Sequence, residues 1–262
     1  VLFACGGTGG HVFPALAIAE ALQRTAPDVE KLFVGTRGRI EARVVPAHGF
    51  PFMSIWIAGF SRRLSVGTLL FPLKLMVSLV QSLVLLLRFR PSVVVGTGGY
   101  VSGPPVFVAT LLGIPTVVQE QNSYPGITTR LLAGRVREVH IAFEATRKFL
   151  RRSRGVFLSG TPIRAAVGTL ARPESLQRLG LLPGRHTVLV VGGSQGAASI
   201  NDALLAAPDL LSRTDVQILW LTGASELARV QQRVAVLPGS AGIHLRGFLE
   251  EMSLAYAAAD LD

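Results

Sequence analysis

The chain has 262 residues, of which 49% are apolar and 16% charged; that is enough for one large or two ordinary α/β domains and too apolar for a disordered chain. The single cysteine, Cys5, excludes an intrachain disulfide and fits a reducing cytosolic setting. The net charge of +10 asks for an acidic partner: nucleic acid, anionic lipid or a phosphorylated substrate.

Val1–Ala4 reads as a buried strand and runs directly into Gly6-Gly7-Thr8-Gly9-Gly10-His11. A helical pattern follows over Pro14–Thr25, with Leu16, Ala17, Ala19 and Leu22 in period. Further strands are predicted at Lys31–Gly35 and Pro51–Ile57. Between Glu41 and Glu120 there is no acidic residue, whereas Arg62, Arg63, Lys74, Arg88 and Arg90 lie there. The same stretch holds the most apolar segment, Leu69–Leu87, with Pro72, Lys74, Ser78, Gln81 and Ser82 inside it. Three readings stay open for it: a membrane span, a buried crossover helix, or a helix with one face on a membrane surface. Basic residues interleaved with aliphatic ones disfavour nucleic acid, whose binding surfaces pair cations with polar or aromatic groups. They suit an anionic lipid surface better.

Strand patterns resume at Ser92–Gly96, Pro115–Gln119 and Val136–Ala142. The first of these ends in a second glycine-rich turn, Gly96-Thr97-Gly98-Gly99-Tyr100-Val101-Ser102-Gly103, and the second ends in Glu120-Gln121-Asn122. Gly160-Thr161-Pro162 breaks the series, so a domain boundary is expected near 160–165, giving domains over 1–163 and 164–262. A polar helical stretch ending at Leu182-Pro183-Gly184 leads to strands at Thr187–Val191, Val216–Leu221 and Gly242–Leu245. The first of these ends in a third turn, Gly192-Gly193-Ser194-Gln195-Gly196-Ala197. Strand, turn and helix in alternation, with continuously apolar strands, predict parallel sheets covered on both faces. Val1–Ala4 and Ala259–Asp262 read as strand segments at the very ends, so the chain is expected to be a piece of a longer protein.

Glycine at a strand end lets a ligand approach the backbone, and a helix starting there favours phosphate. None of the three turns fits G-x-G-x-x-G, since the sixth position from Gly7 or Gly96 is Val12 or Val101, and no P-loop pattern occurs. His11 at the mouth of the first turn could serve as general base, position a hydroxyl, or simply cap the helix. Glu120-Gln121-Asn122 could hydrogen-bond a polyhydroxylated ligand or form a solvated loop. Arg164 could face a diphosphate or be a surface charge. No Cys/His cluster with metal-ligand spacing is present.

Taken together, Gly6–His11 with Val12-Phe13-Pro14-Ala15, Gly98–Pro104, Glu120-Gln121-Asn122, Gly160-Thr161-Pro162-Ile163-Arg164 and Gly192–Ala197 resemble, in order and spacing, the MurG family. The resemblance implies a GT-B fold, two Rossmann-like parallel-sheet domains facing a cleft, with the second domain truncated here. It implies an inverting, metal-independent transfer of GlcNAc from UDP-GlcNAc to lipid I, with no cofactor. His11 becomes the candidate base; Thr8, Gly9, Gly10, Asn122, Arg164, Ser194 and Leu249 would bind the donor. Gly98, Gly99, Tyr100 and Ser102 would hold the diphosphate of the undecaprenyl-linked acceptor. Residues 62–90 would rest on the cytoplasmic face of the inner membrane, making the enzyme peripheral. The family continues beyond the present end with further donor-binding residues, so the 262 residues alone are not expected to turn over. A different GT-B transferase, a UDP-sugar epimerase and a non-catalytic membrane-surface nucleotide-binding module are the alternatives.

Overall fold

The computed structural model describes residues 1–59, 70–151, 154–165, 167–193, 196–237 and 240–261. The chain divides into two compact units, Val1–Arg164 and Ala165–Asp262.

The first unit alternates strands and helices: β1 (Leu2–Ala4), α1 (Gly9–Thr25), β2 (Leu32–Gly35), α2 (Glu41–Ala47), β3 (Phe52–Ser54), α3 (Phe71–Phe89), β4 (Val94–Gly96), α4 (Gly103–Leu111), β5 (Thr116–Glu120), α5 (Ile127–Leu132), β6 (Glu138–Ile141) and β7 (Val156–Leu158). Every pairing is parallel, in the order β3-β2-β1-β4-β5-β6-β7. The chain winds outward in opposite directions from the β1–β4 pair, and such a switch point is where open α/β sheets bind ligands. β7 has no counterpart among the strands predicted from sequence. It is only three residues long and the arginine-rich segment before it hides the apolar run.

The two-residue period of a strand explains the two cores. Leu2 and Ala4 point into one layer with Val94, Val106 and Val118; Phe3 and Cys5 point into the other with Val12, Leu16, Phe33 and Val45. Phe3 stacks on Phe33 with ring centroids 4.9 Å apart. Such a fully buried large side chain contributes roughly 1.5–3 kcal/mol. α1 follows the same logic: Val12, Ala15, Leu16 and Ala19, at helical spacing, are all buried.

Helix α3 inverts it. The residues it buries are Ser78, Ser82, Leu85 and Leu86, while Leu73, Met76, Val80, Leu83, Val84 and Leu87 are exposed. Both serine hydroxyls turn back onto the helix's own carbonyls, Ser78 Oγ to Leu75 O and Ser82 Oγ to Ser78 O, each at 2.7 Å. The small buried face lets α3 pack against α4. It ends at Arg90, which adopts a left-handed φ of 48° and turns the chain into β4.

The second unit contains α6 (Arg172–Leu179), β8 (His186–Val191), α7 (Ala198–Leu205), α8 (Pro208–Leu211), β9 (Val216–Leu221), α9 (Leu227–Val234), β10 (Ile243–Arg246) and α10 (Met252–Ala258). Its strands pair in parallel as β10-β9-β8, and Leu261 forms a parallel bridge to Val188 on the other side of β8. Trp220 is fully buried and donates its indole N–H to Asn201 Oδ1 at 2.9 Å; Asn201 in turn donates to the Thr222 carbonyl at 3.0 Å. Asp260 fastens the next segment, accepting the Thr187 N–H at 2.8 Å and a bond from Arg172.

Candidate active site

The carboxyl ends of β1, β2, β4 and β5 meet at the switch point. α1 begins at Gly9 after the extended Thr8. The N–H groups of Gly9 and Gly10 find no acceptor among the described residues. These orphan donors and the positive end of a 17-residue helix together favour an anion. Thr8 and Gly10 are exposed, Gly9 is buried and His11 is half-buried.

The first turn is fastened from behind by Glu41, a fully buried residue. Its Oε2 accepts the Gly7 N–H at 3.2 Å, and its Oε1 accepts the Thr36 N–H at 3.0 Å and the Thr36 hydroxyl at 2.7 Å. A Cβ on Gly6 or Gly35 would overlap the Glu41 side chain, so the glycines ending β1 and β2 make room for this carboxylate. Cys5 lies beside it. Burial, and then the Glu41 charge, push the Cys5 thiol well above its ordinary value, so it stays protonated and serves as packing.

His11 is fixed by the β4 and β5 turns. Its Nδ1 lies 3.1 Å from the Thr97 carbonyl and 3.3 Å from Gln121 Oε1. Gln121 Nε2 donates to the same Thr97 carbonyl at 2.9 Å, which orients its Oε1 towards the imidazole. Both neighbours of Nδ1 are acceptors, so the hydrogen bonds assign the proton of the neutral ring to Nδ1 and leave the lone pair on Nε2. No described residue donates to Nε2. The Thr97 hydroxyl donates to the His11 carbonyl at 2.6 Å and closes the arrangement.

Several expectations change here. The glycines of the second turn serve the first: a Cβ on Gly98 would lie 2.7 Å from His11 Nδ1, and one on Gly99 would overlap the Gly6 carbonyl. Ser102 is buried and gives its hydroxyl to the Gly99 carbonyl at 3.0 Å, so it shapes the turn instead of presenting a donor to an acceptor substrate. The Tyr100 ring packs where a Cβ of Gly7 or Gly59 would stand 3.2 Å from it. Glu120 is buried and ties its own loop together, accepting from Asn122 N, Asn122 Nδ2 and Gly126 N at 3.1, 2.8 and 3.0 Å; it is spent on structure and is no ligand group. Asn122 is exposed, and its Oδ1 has no partner among the described residues. Arg164 closes the first unit and pairs through Nε with Glu20 of α1 at 3.1 Å, which fills one edge of its guanidinium.

In the second unit, a Cβ on Gly192 would overlap the Ala197 N–H of its own turn, and one on Gly196 would overlap the Thr222 carbonyl, so Gly196 lets the turn after β8 lie against the turn after β9. Ser194 lies outside the described residues, as do Arg62 and Arg63. Leu249 is half-buried against Leu176, Leu254 and their neighbours. Among the described residues no three His, Cys, Asp or Glu side chains gather to hold a metal ion.

Glu41, Thr97 and Gln121 carry the geometry; Glu41 and Thr97 were given no role from sequence, and Gln121 only a possible ligand contact. Thr97 and Gln121 sit inside the motifs singled out, each one position from a residue given a function, Gly98 and Asn122. Glu41 had only a weak signal, an acidic residue in the first turn of a short helix.

Two glycosyltransferase family 28 patterns match the chain, the N-terminal domain over residues 1–141 and the C-terminal domain over 187–261. Two relatives share the name UDP-N-acetylglucosamine–N-acetylmuramyl-(pentapeptide) pyrophosphoryl-undecaprenol N-acetylglucosamine transferase. The one from Chlorobium luteolum is 43% identical over 267 residues, covering 100% of this chain and 71% of its own. The one from Phocaeicola vulgatus is 36% identical over 263 residues, covering 100% and 70%. The crystal structure of MurG from Acinetobacter baumannii aligns with a TM-score of 0.64 at 27% identity, over 99% of this chain and 70% of that one. A UDP-GlcNAc 2-epimerase from Neisseria meningitidis aligns with a TM-score of 0.61 at 14% identity, over 98% and 74%, a likeness of fold alone.

Proposed function

The chain belongs to the MurG family within glycosyltransferase family 28, and from that premise we propose how its residues serve the reaction. The enzyme is an N-acetylglucosaminyltransferase that moves GlcNAc from UDP-GlcNAc to the undecaprenyl-diphosphate-linked muramyl pentapeptide, giving lipid II for peptidoglycan. The observation that carries the catalytic reading is the pinned Nδ1 of His11, which leaves Nε2 as a lone-pair acceptor at the sheet's switch point. The muramyl 4-hydroxyl gives its proton to Nε2 while its oxygen bonds to C1 of GlcNAc, and UDP departs with the electrons of the broken C1–O bond. Negative charge growing on an anion at the first turn is met by the free N–H groups of Gly9 and Gly10 and by the α1 dipole. Thr8 stands beside them, and Asn122 offers its free Oδ1 to a sugar hydroxyl. Gly98, Gly99 and Tyr100 build the wall beside the acceptor. Arg164 in the first unit, and Ser194 and Leu249 in the second, are assigned to the nucleotide side. The base alone supplies roughly 10²–10⁴-fold.

The membrane reading rests on α3. The apolar window of this helix is only 22% buried, so the crossover helix leaves most of its aliphatic surface uncovered. Lys74, Arg88 and Arg90 flank that surface. The helix packs on α4, sharing a core through Leu85 and Leu86, and feeds a central strand, so on this reading it lies on the bilayer instead of crossing it. On this reading the enzyme works at the cytoplasmic face of the inner membrane, where its lipid-linked acceptor would be met.

The test is transfer of labelled GlcNAc from UDP-GlcNAc to the lipid-linked muramyl pentapeptide by the full-length protein, with a chelator present. A labelled lipid product is expected. A folded protein that instead epimerises the donor, or labels only soluble acceptors, contradicts the assignment.

A further inference from the structure

Beside the reacting turn lies a cavity of about 610 Å³ that the transfer described above leaves unused. It opens at the carboxyl ends of β2 and β3, with α3 along one side. Arg37 Nε donates to Ser54 Oγ at 3.0 Å, which fixes the guanidinium, while its two Nη groups have no partner among the described residues. Trp56 and Val77 supply apolar wall. Gln81 accepts the Trp56 N–H through Oε1 at 2.7 Å and keeps its amide donors free.

Two walls of this cavity belong to parts already assigned. Thr36 is bound to the same Glu41 carboxylate that holds Gly7, so the cavity shares a support with the first turn. β2 neighbours β1 and β3 neighbours β2, which puts the cavity one to two strand spacings, about 5–10 Å, from the end of β1. The other wall, Val77 and Gln81, stands on the helix whose outer face is given to the membrane.

We infer that this cavity receives the peptide arm of the acceptor, with Arg37 pairing with a peptide carboxylate. The inference rests on the proposed function, which alone brings a peptide-bearing sugar to His11. An acceptor anchored at α3 and reacting at Nε2 has its remaining substituent to place between the two, where the cavity opens. A peptide offers carboxylates, amides and short aliphatic stretches together. A fixed guanidinium with both Nη groups free matches a carboxylate, Gln81 matches a peptide carbonyl, and Trp56 covers aliphatic carbon. A polyprenyl chain would leave Arg37 and Gln81 unpaired, and a diphosphate would leave the apolar wall of Trp56 and Val77 without a partner.

Steady-state transfer by the full-length protein tests this with two lipid-linked muramyl acceptors, one carrying the pentapeptide and one carrying none. Arg37 is exposed, so Arg37→Ala leaves the fold intact. The variant is expected to raise KM for the peptide-bearing acceptor about tenfold, the equivalent of one lost charge-assisted bond. Its kcat, its KM for UDP-GlcNAc and its KM for the peptide-free acceptor stay at wild-type values. Equal loss on both acceptors, or no loss on either, overturns the inference. Absence of transfer by the wild type to both acceptors overturns the proposed function instead.

Discussion

Helices α1 and α3 are the two longest in the first unit, and they use apolar side chains in opposite ways. α1 turns Val12, Ala15, Leu16 and Ala19 inward and so holds its N-terminal turn, with His11, rigidly at the end of β1. α3 turns two serines inward and leaves Leu73, Met76, Val80, Leu83, Val84 and Leu87 in contact with solvent. Composition ranks α3 as the more hydrophobic helix, yet the fold draws less on it. An apolar surface that folding does not consume is available to a partner, and the proposed function takes that partner to be a bilayer. On the proposed reading, one helix serves chemistry and the other placement.

That division can be broken by mutation, beginning with the largest effect. His11→Ala lowers kcat by about 10²–10⁴-fold and leaves the melting temperature near that of the wild type, because the imidazole is half-buried and carries no core contact. Leu16→Ala destabilises the protein by about 2.7–5 kcal/mol in denaturant unfolding, whereas Leu83→Ala on α3 stays within about 0.5 kcal/mol; equal costs would erase the contrast. Glu41→Gln sets an amide donor against either the Gly7 or the Thr36 N–H and costs about 1–3 kcal/mol, with activity falling alongside stability. Val80→Asp with Leu83→Asp weakens cosedimentation with vesicles of anionic phospholipid by roughly tenfold for each side chain, with no loss of stability. The smallest effect lies outside both helices. The Thr187 N–H and then Arg172 hold the Asp260 carboxyl below its ordinary value of 3.8. As pH falls through that range the unfolded chain takes up the proton first, so this contribution to stability is present above about pH 4 and is lost below it. Asp260→Asn removes that acid dependence and leaves vesicle binding unchanged.

Much of this was legible in the sequence because it depends on local pattern. Short apolar runs located nine of the ten strands, and Gly6–His11 announced the first turn. What was not legible depends on contacts far apart along the chain. Gly98 and Gly99 read as room for a ligand, but the space is taken by His11 and the Gly6 carbonyl, 87 and 93 positions away. Glu120 reads as a ligand group, and only its burial against Asn122 and Gly126 reveals a brace. Glu41 reads as an ordinary acid in a short helix, since nothing local shows that two glycines leave room for it. The inversion of α3 was one of three open readings, because length and hydropathy are the same for a buried helix, a spanning helix and a surface one.

The most direct measurement is transfer by wild type, His11→Ala and Val80→Asp/Leu83→Asp to two acceptors, one undecaprenyl-linked in vesicles and one with a short, water-soluble chain. The account predicts that His11→Ala loses turnover on both, while the α3 variant loses it in vesicles and retains wild-type turnover on the soluble acceptor. Equal impairment of the α3 variant on both acceptors, or full activity of His11→Ala on either, would contradict it.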